Sequence, residues 1–270
     1  LILLNKNMYD LNKNFNNIKI SVIIPSFNRI DYLQRSIGSV LKQTYTVNEI
    51  ILVDNNSNDG TKEFVTNYYP AVKVYNEDKK GVSFARNTGI IKSRNEWIAF
   101  LDSDDEWCKQ KIEKQINKFL CYGNKYRIIH TNEKWIKNGK YHNQKIKHKK
   151  KGGYLFNDSL EFCKISPSSV LMHKSLFEKY GMFDNNLEVC EDYELWLRIT
   201  SKVLIGLVDE PLLIKYGGHK GQLSKKYWGL DRFRIQALEN IILKFKLNSD
   251  QKYWAIKTML KKIKILSNGA

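Results

Sequence analysis

The sequence has no C-x-x-C motif and no long apolar run. Its four cysteines are Cys108, Cys121, Cys163 and Cys190. Without paired spacing they give no support to a structural zinc site, and so small a number is typical of reduced thiols in a cytosolic protein. No apolar stretch reaches the ~18–20 residues that span a bilayer, and residues 1–4 are too short for a signal-peptide core. We therefore expect a cytoplasmic protein with a disordered leader over residues 1–17.

Arginine is scarce in a chain that is otherwise strongly basic. The net charge is +17, but only 8 of the 45 basic residues are arginine. Such a charge fits nucleic-acid binding or contact with an anionic membrane face. Abundant lysine, asparagine and isoleucine also fit an AT-rich genome, which raises the lysine content without any selection for binding. We expect no nucleic-acid partner and keep peripheral contact with the inner face of the plasma membrane as a hypothesis.

The first ~120 residues alternate between predicted strands and helices. Apolar runs predict buried strands over residues 18–25, 49–53, 72–75 and 96–101. Helical spacing predicts helices over 31–43, through Phe64 and Tyr68, over 83–93 and over 107–120. Apolar strands with intervening helices imply a parallel sheet that is covered on both faces. Ligands of such sheets bind at the carboxyl ends of the strands, so we expect a polar, acidic crevice there.

The second half of the chain has a less regular pattern. Lysine and histidine are dense from Lys134 to Lys151, which predicts an exposed, mobile connection or a basic flap. Further along we predict a helix over 189–201, a strand near 203–208, a glycine-rich loop over 216–224 and amphipathic helices over 228–246 and 250–266. We divide the chain into residues 1–17, a nucleotide-binding half (18–125), an acceptor-binding half (126–226) and the C-terminal helices (227–270).

Asp102 and Asp104 directly follow the predicted strand over residues 96–101. Two carboxylates one residue apart can share a hard divalent cation, because Mg²⁺ and Mn²⁺ prefer oxygen ligands. A solvated acidic turn is the plainer alternative, since short D-x-D sequences are common. The position at a strand end favours the metal site.

Four segments together resemble the family 2 glycosyltransferases. They are SVIIPSFNR (21–29), DNNSNDGT (54–61), GVSFARNTG (81–89) and FLDSDD (100–105). They occur in the family's order and at its spacing. The resemblance implies an α/β fold of the GT-A type, with a Rossmann-like, mostly parallel sheet flanked by helices and, here, a C-terminal helical extension. It also implies an inverting transfer of a sugar from a nucleoside-diphosphate donor, most simply a UDP-sugar.

The resemblance assigns roles on the donor side. Pro25, Phe27 and Arg29 would line the nucleotide pocket, although Phe27 lacks the hydroxyl of the tyrosine that the family often has there. Asp54 would bind the base, and Asp102 with Ser103 the nucleoside. Asp104 would bind Mn²⁺ or Mg²⁺ on the diphosphate. Arg86 would face the diphosphate or brace the acidic loop, with an ordinary helix-surface arginine as the alternative.

On the acceptor side, the resemblance makes Asp192 the general base and Glu191 its neighbour or an acceptor ligand. Acidic residues also favour a helix N-terminus through the macrodipole alone, which is the plainer interpretation of this pair. His219 would complete the metal or diphosphate site on a closing loop, or would be an ordinary loop histidine. The acceptor would be a glycan or a lipid-linked sugar, as in the synthesis of bacterial lipopolysaccharide, capsule or exopolysaccharide.

Three other classes of protein compete with this hypothesis. A nucleotidyltransferase usually has a glycine-rich, basic loop after the first strand, where this chain has Pro25-Ser26-Phe27-Asn28. A dinucleotide-dependent oxidoreductase needs G-x-G-x-x-G at that place, and it is absent. A membrane- or nucleic-acid-surface binding protein with a degenerate enzyme core remains an alternative, which a test for donor hydrolysis separates from an enzyme.

Overall fold

The first half of the chain folds as the alternating pattern predicts. The computed structural model describes residues 17–122, 125–144, 148–218, 221 and 226–269, so nearly all of the expected leader lies outside the described residues. The elements of this half are β1 (Ile20–Ser26), α1 (Ile30–Leu41), β2 (Glu49–Asp54), α2 (Thr61–Tyr68), β3 (Val72–Asn76), α3 (Val82–Lys92), β4 (Trp97–Phe100), β5 (Glu106–Trp107) and α4 (Lys111–Cys121). The predicted start of the last helix is wrong, because Trp107 lies on β5 and pairs with Leu213.

The second half contains more strand than the sequence predicts. Its elements are β6 (Ile128–Lys137), β7 (Lys140–His142), α5 (Phe156–Glu161), a 3₁₀ turn (Pro167–Ser169), β8 (Leu171–His173), α6 (Ser175–Tyr180), α7 (Glu191–Thr200), β9 (Gly206–Gly217), α8 (Asp231–Lys244) and α9 (Ser249–Asn268). The prediction of a mobile flap from residue 134 is wrong for its first part, since Lys134 to Lys137 pair with β9. The strand predicted near 203–208 continues to Gly217.

One mixed sheet runs through both halves in the order β3-β2-β1-β4-β8-β6-β9-β5, and β7 pairs with β6. The first four strands in this order are parallel to one another. β8 is antiparallel to both β4 and β6, whereas β6 and β9 are parallel. The predicted α/β class with a mostly parallel sheet is confirmed. The chain leaves β1 towards β2 on one side and returns to β4 on the other, which is where such sheets bind ligands.

Helix α3 packs unusually close to β1, and Gly89 makes this possible. A Cβ atom at this position would lie 2.3 Å from Cγ2 of Ile23, so any larger residue would push the helix away from the sheet. The close approach fixes the height of α3 over the carboxyl end of β1. It thereby fixes the position of Arg86, which the same helix carries.

The C-terminal helices pack against the second half of the chain. Leu238 and Ile241 of α8 and Ala255 of α9 form a buried cluster with Tyr193 and Leu197 of α7. The predicted pair of amphipathic helices is therefore present and packed onto the domain. Within the described part of the chain, no helix is both long and apolar enough to cross a membrane.

Candidate active site

A cleft of about 470 Å³ opens at the carboxyl ends of β1 and β4. Its volume is in the range of small-molecule sites. Eight predicted site residues line it: Pro25, Phe27, Arg29, Arg86, Asp102, Ser103, Asp104 and Glu191. Asp54 and Asp192 are not on its lining, and His219 lies outside the described residues. The order of the strands thus brings together side chains that are up to 166 positions apart in the sequence, from Pro25 to Glu191.

Two loops at the end of the cleft beside Phe27 hold each other in place. Asn28, in a left-handed conformation (φ 51°), receives a hydrogen bond on its side chain from the backbone N–H of Asn58 at 2.8 Å. Its own N–H donates to Oγ of Ser57 at 2.9 Å. Asp54 is buried and accepts a hydrogen bond from the Ser57 N–H at 3.1 Å. Phe27 is 47% exposed on the wall of the cleft, where a flat ring is available for stacking.

Asn55 fixes the loop that leads into α3. Its side chain donates to the carbonyls of Glu77 and Lys79 and accepts from the N–H of Gly81 at 2.8 Å. Gly81 has a φ of 141°, which a residue with a Cβ rarely adopts. Lys80, beside it, lines the cleft and makes no ion pair among the described residues. Its ammonium group is available to an anionic ligand.

Arg86 joins the two halves of the site. Its guanidinium group donates to Asp102 at 2.7 Å and to Glu191 at 2.5 Å, and we call these three residues the Arg86 cluster. The side chain is only 4% exposed, and its Nε is buried without a partner. Of the two roles that the resemblance implies, the geometry supports bracing. The alternative of an ordinary surface arginine is wrong, because two carboxylates bury this side chain.

The two carboxylates of the Arg86 cluster have opposite pKa shifts. Burial and, less strongly, the nearby Asp192 together raise the pKa of Glu191 to about 7, against the opposing effect of Arg86. Burial also acts to raise the pKa of Asp102, but Arg86 and Lys215 outweigh it and hold that pKa below its usual value. The cluster therefore favours the ionised form of Asp102, and it holds the pKa of its second carboxylate, Glu191, close to neutral pH.

The acidic loop after β4 turns one carboxylate inwards and keeps another on the cleft. Ser168 donates its hydroxyl to Asp105 at 2.7 Å and accepts the Asp102 N–H at 3.0 Å. Asp105 is buried, and burial raises its pKa well above the usual value. Asp104 stays on the lining of the cleft, and its carbonyl accepts from Arg35 at 2.7 Å. Of these two, Asp104 alone is placed to meet a ligand.

Asp192 lies in the first turn of α7, beside Glu191. One carboxylate oxygen accepts from the N–H of Tyr193 at 2.7 Å, and the other lies 3.4 Å from Sγ of Cys163. The helix N-terminus thus stabilises Asp192, as the plainer interpretation of the acidic pair predicts. Glu191 departs from that interpretation, because its side chain reaches back to Arg86.

Lys215 is a charged residue of the site that the sequence did not reveal. It lies on β9 opposite Trp135. Burial acts to lower the pKa of its ammonium group, but the carboxylates of Asp105, Glu133, Asp102 and Asp192 raise it. No carboxylate within the described ranges comes within 4 Å to form an ion pair with it. It therefore offsets the charge of several carboxylates at once. The signal that was available is a lysine at an inward position of the apolar run over 212–216.

A second group of buried charge lies behind the cleft. Lys150 and Glu133 form an ion pair at 3.1 Å, and the Ser166 hydroxyl donates to the same carboxylate at 2.7 Å. We call these three residues the Lys150 cluster. Burial acts to raise the pKa of Glu133, but Lys150, Lys215 and the hydrogen bonds of Ser166 and Trp135 lower it to about 2. The lysine-rich segment predicted to be a flap thus contributes a buried side chain.

The residues of the cleft fit a divalent cation that is shared with a phosphate ligand. In the described ranges, no three histidine, cysteine or acidic side chains gather into a protein-only metal site. Mg²⁺ usually binds through one or two carboxylates and takes its remaining ligands from substrate phosphates and water. Asp104 on the lining, with Asp102 two residues before it, supplies that kind of donor set.

Comparisons with known proteins agree with this geometry. A family model described as "Glycosyl transferase family 2" matches residues 21–181, more than half of the chain. The UDP-Glc:alpha-D-GlcNAc-diphosphoundecaprenol beta-1,3-glucosyltransferase WfgD of Escherichia coli is 36% identical over 189 residues, covering 67% of this chain and 69% of that protein. An uncharacterized glycosyltransferase of Rickettsia conorii is 36% identical over 204 residues, covering 73% of this chain. The chain spans about a third of the length of the R. conorii relative and of a similar one from Rickettsia felis (32% each).

The fold has a counterpart among solved structures. The crystal structure of S. aureus TarS 1–349 in complex with UDP-GlcNAc superposes with a TM-score of 0.74, over 91% of this chain and 72% of that one, at 20% sequence identity. At that identity the likeness concerns the fold. It confirms the predicted GT-A architecture with C-terminal helices.

Proposed function

The chain belongs to glycosyl transferase family 2, and on this basis we propose that it transfers a sugar, with inversion, from a UDP-sugar to a hydroxyl group of a lipid-linked or glycan acceptor. One observation carries the proposal. A single cleft joins residues of the family's donor motifs to Glu191, the residue that precedes Asp192, and Arg86 links the two sides through an ion pair with Glu191. A nucleotide and an attacking hydroxyl would meet where those two halves join.

In this proposal the donor lies along the cleft from Phe27 to Asp104. The ring of Phe27 stacks on the base, and Asp54, behind it, orders the loop that receives the base. Arg29 and Lys80 on the lining offset the negative charge of the diphosphate. Arg86 has both of its terminal nitrogens on carboxylates, so it acts by holding Asp102 and Glu191 in place.

Asp104, with Asp102, would hold Mn²⁺ or Mg²⁺ on the diphosphate, and the ion would supply Lewis-acid stabilisation of the leaving group. His219 stays a proposed contributor to this site. The protein's own residues orient the donor so that its anomeric carbon faces the end of the cleft at Glu191. Holding both reactants in one cleft replaces a random encounter by a fixed approach.

The proton chemistry is assigned to Asp192. It accepts the proton of the acceptor hydroxyl while that oxygen bonds to the anomeric carbon, and the bond to the nucleoside diphosphate breaks with its electron pair going to the phosphate. The attack comes from the side opposite the leaving group, which inverts the configuration. A carboxylate in this role supplies roughly 10²–10⁴-fold in rate. The Tyr193 N–H and the first turn of α7 hold Asp192 in place.

The names of the relatives support the class of acceptor. WfgD is named for an acceptor on diphosphoundecaprenol, and TuaG of Bacillus subtilis, 41% identical over 101 residues, for teichuronic acid biosynthesis. We propose that this chain likewise extends a cell-surface glycan on a lipid carrier, at the cytoplasmic face of the membrane. Its four unpaired cysteines suit that reducing compartment.

The decisive experiment is a screen of nucleotide sugars for release of nucleoside diphosphate, with Mn²⁺, Mg²⁺ or EDTA. We expect release with UDP-sugars in the presence of metal, rising when a lipid-linked acceptor is added. Asp192→Asn should remove the increase that the acceptor causes. Release of pyrophosphate from a nucleoside triphosphate and a sugar phosphate would instead indicate a nucleotidyltransferase. No release from any donor would indicate a binding protein with a degenerate core.

A further inference from the structure

Helix α9 keeps a large apolar surface in contact with solvent. Ala255, Thr258 and Lys262 form the side that packs on the domain. Large exposed side chains cover much of the rest of the helix: Tyr253 and Leu260 lie opposite the packed side, and Trp254, Ile263 and Ile265 lie towards its flanks. A further exposed side chain, Trp228, precedes α8. We call these residues the C-terminal face: Trp228, Tyr253, Trp254, Leu260, Ile263 and Ile265. Trp228 is 67%, Leu260 58% and Ile265 54% exposed, so the face is far from buried.

Lysines are interleaved with this apolar surface. Tyr253, Lys257, Leu260 and Lys264 recur at spacings of three and four, so they form one stripe along the exposed side of α9. The ammonium group of Lys257 lies over the rings of both Tyr253 and Trp254, at 5.7 and 4.7 Å. Neither Lys257 nor Lys264 forms an ion pair within the described part of the chain. Asp250 is the one acidic residue of the helix.

The C-terminal face lies beside the mouth of the cleft. Lys226 and Tyr227 line the cleft, and Trp228 follows them in the chain. Arg232 fixes Trp228, since it donates to its carbonyl at 2.9 Å and lies over its ring at 5.0 Å. A Cβ atom on Gly229 would stand 3.8 Å from Cδ2 of Leu266, so the last turns of α9 touch this same segment. A surface that meets the C-terminal face is therefore close to the cleft.

We infer that the C-terminal face docks this protein on an anionic lipid surface. Aromatic and aliphatic side chains interleaved with lysine are the composition of helices that lie in the headgroup region, where the lysines reach the phosphates. A nucleic acid would leave Leu260, Ile263 and Ile265 without an apolar partner. A two-fold dimer through this face would bring like-charged lysines of both copies into one interface.

The test is sedimentation with vesicles of phosphatidylcholine, alone or mixed with phosphatidylglycerol. The wild type should sediment with the anionic vesicles and remain in the supernatant with the neutral ones. Each lysine near such a surface contributes about fivefold to partitioning, so Lys257→Gln with Lys264→Gln should weaken binding about twenty-five-fold. Leu260→Ser with Ile265→Ser should weaken it by about tenfold or more, because both side chains lose their burial in lipid.

A matched control removes the same charge elsewhere. Lys42→Gln with Lys62→Gln changes two exposed lysines of the N-terminal half, outside the C-terminal helices, and should leave vesicle binding unchanged. The inference is overturned if the wild type stays in the supernatant with anionic vesicles, or if the control pair weakens binding as much as the α9 pair. It is also overturned if the wild type is a dimer that the Leu260 and Ile265 variant converts to a monomer. Sedimentation needs no donor, so failure of this inference and failure of the proposed reaction are separate outcomes.

Discussion

The Arg86 cluster and the Lys150 cluster are both buried groups of charge, yet they balance that charge differently. In the Lys150 cluster, one ammonium group faces one carboxylate, and hydroxyl and indole donors complete its hydrogen bonds. In the Arg86 cluster, one guanidinium group serves two carboxylates, with Asp192 and Asp104 nearby. The first cluster is complete without a ligand. The second keeps an excess of negative charge at the cleft, which a divalent cation would offset.

The largest expected effect tests whether that excess serves catalysis. Asp192→Asn keeps the shape of the side chain but removes its basicity, so turnover should fall by roughly 10²–10⁴-fold. Donor affinity, measured by titration calorimetry with the UDP-sugar and Mn²⁺, should stay unchanged because Asp192 is not on the lining of the cleft. A variant with normal turnover would remove the assignment of Asp192 as the base.

The next effect compares the two clusters directly. Arg86→Met leaves the buried Glu191 and the half-buried Asp102 without their cation, and Lys150→Met does the same to the buried Glu133. Each variant should lower the free energy of unfolding by about 3–5 kcal/mol, measured by denaturant titration. Donor binding should separate the two variants. At temperatures where both are folded, only the Arg86 variant should also lose donor binding. Equal retention of donor binding would contradict the distinction between the clusters.

A smaller effect concerns the metal. Asp104→Ala should weaken Mn²⁺-dependent nucleotide binding by at least about tenfold, since even indirect partners of a metal ligand have effects of that size. Nucleotide binding in EDTA should change little, because the loop is held by Asp102 and Asp105 through Ser168. Glu188→Ala, which removes another carboxylate on the lining, serves as the control. An unchanged Mn²⁺ titration would refute the role of Asp104.

Sequence patterns predicted the first half of the chain well, because its strands are short apolar runs with turn residues at their carboxyl ends. The second half was harder to predict. Lysines from Lys134 onwards indicate a solvated flap by composition, but pairing with β9 and an ion pair at Lys150 hold part of that segment in the fold. Lys215 was missed for a related reason. Its place within an apolar run marks it as unusual, but it becomes a site residue only because carboxylates distant in sequence surround it, and the run does not encode that arrangement.

The smallest effect is a pH dependence of opposite sign in the two clusters. The folded-state pKa of Glu191 is raised from 4.5 to about 7, so its contribution to stability is present below 4.5 and is lost as pH rises towards 7. The folded-state pKa of Glu133 is lowered from 4.5 to about 2, so its contribution is present above 4.5 and is lost as pH falls towards 2. Each slope is at most about 1.4 kcal/mol per pH unit.

These slopes are measured against glutamine variants that cannot titrate. Between pH 5 and pH 7 (roughly the span of the Glu191 shift), the wild type should lose stability relative to Glu191→Gln. Below about pH 4.5 it should lose stability relative to Glu133→Gln as the pH falls. If instead the wild type gains stability over Glu191→Gln as pH rises, the guanidinium group of Arg86 is sufficient to stabilise both of its carboxylates in the ionised form. The Arg86 cluster would then be as complete as the Lys150 cluster, and the excess charge assigned to the cleft would have to lie elsewhere.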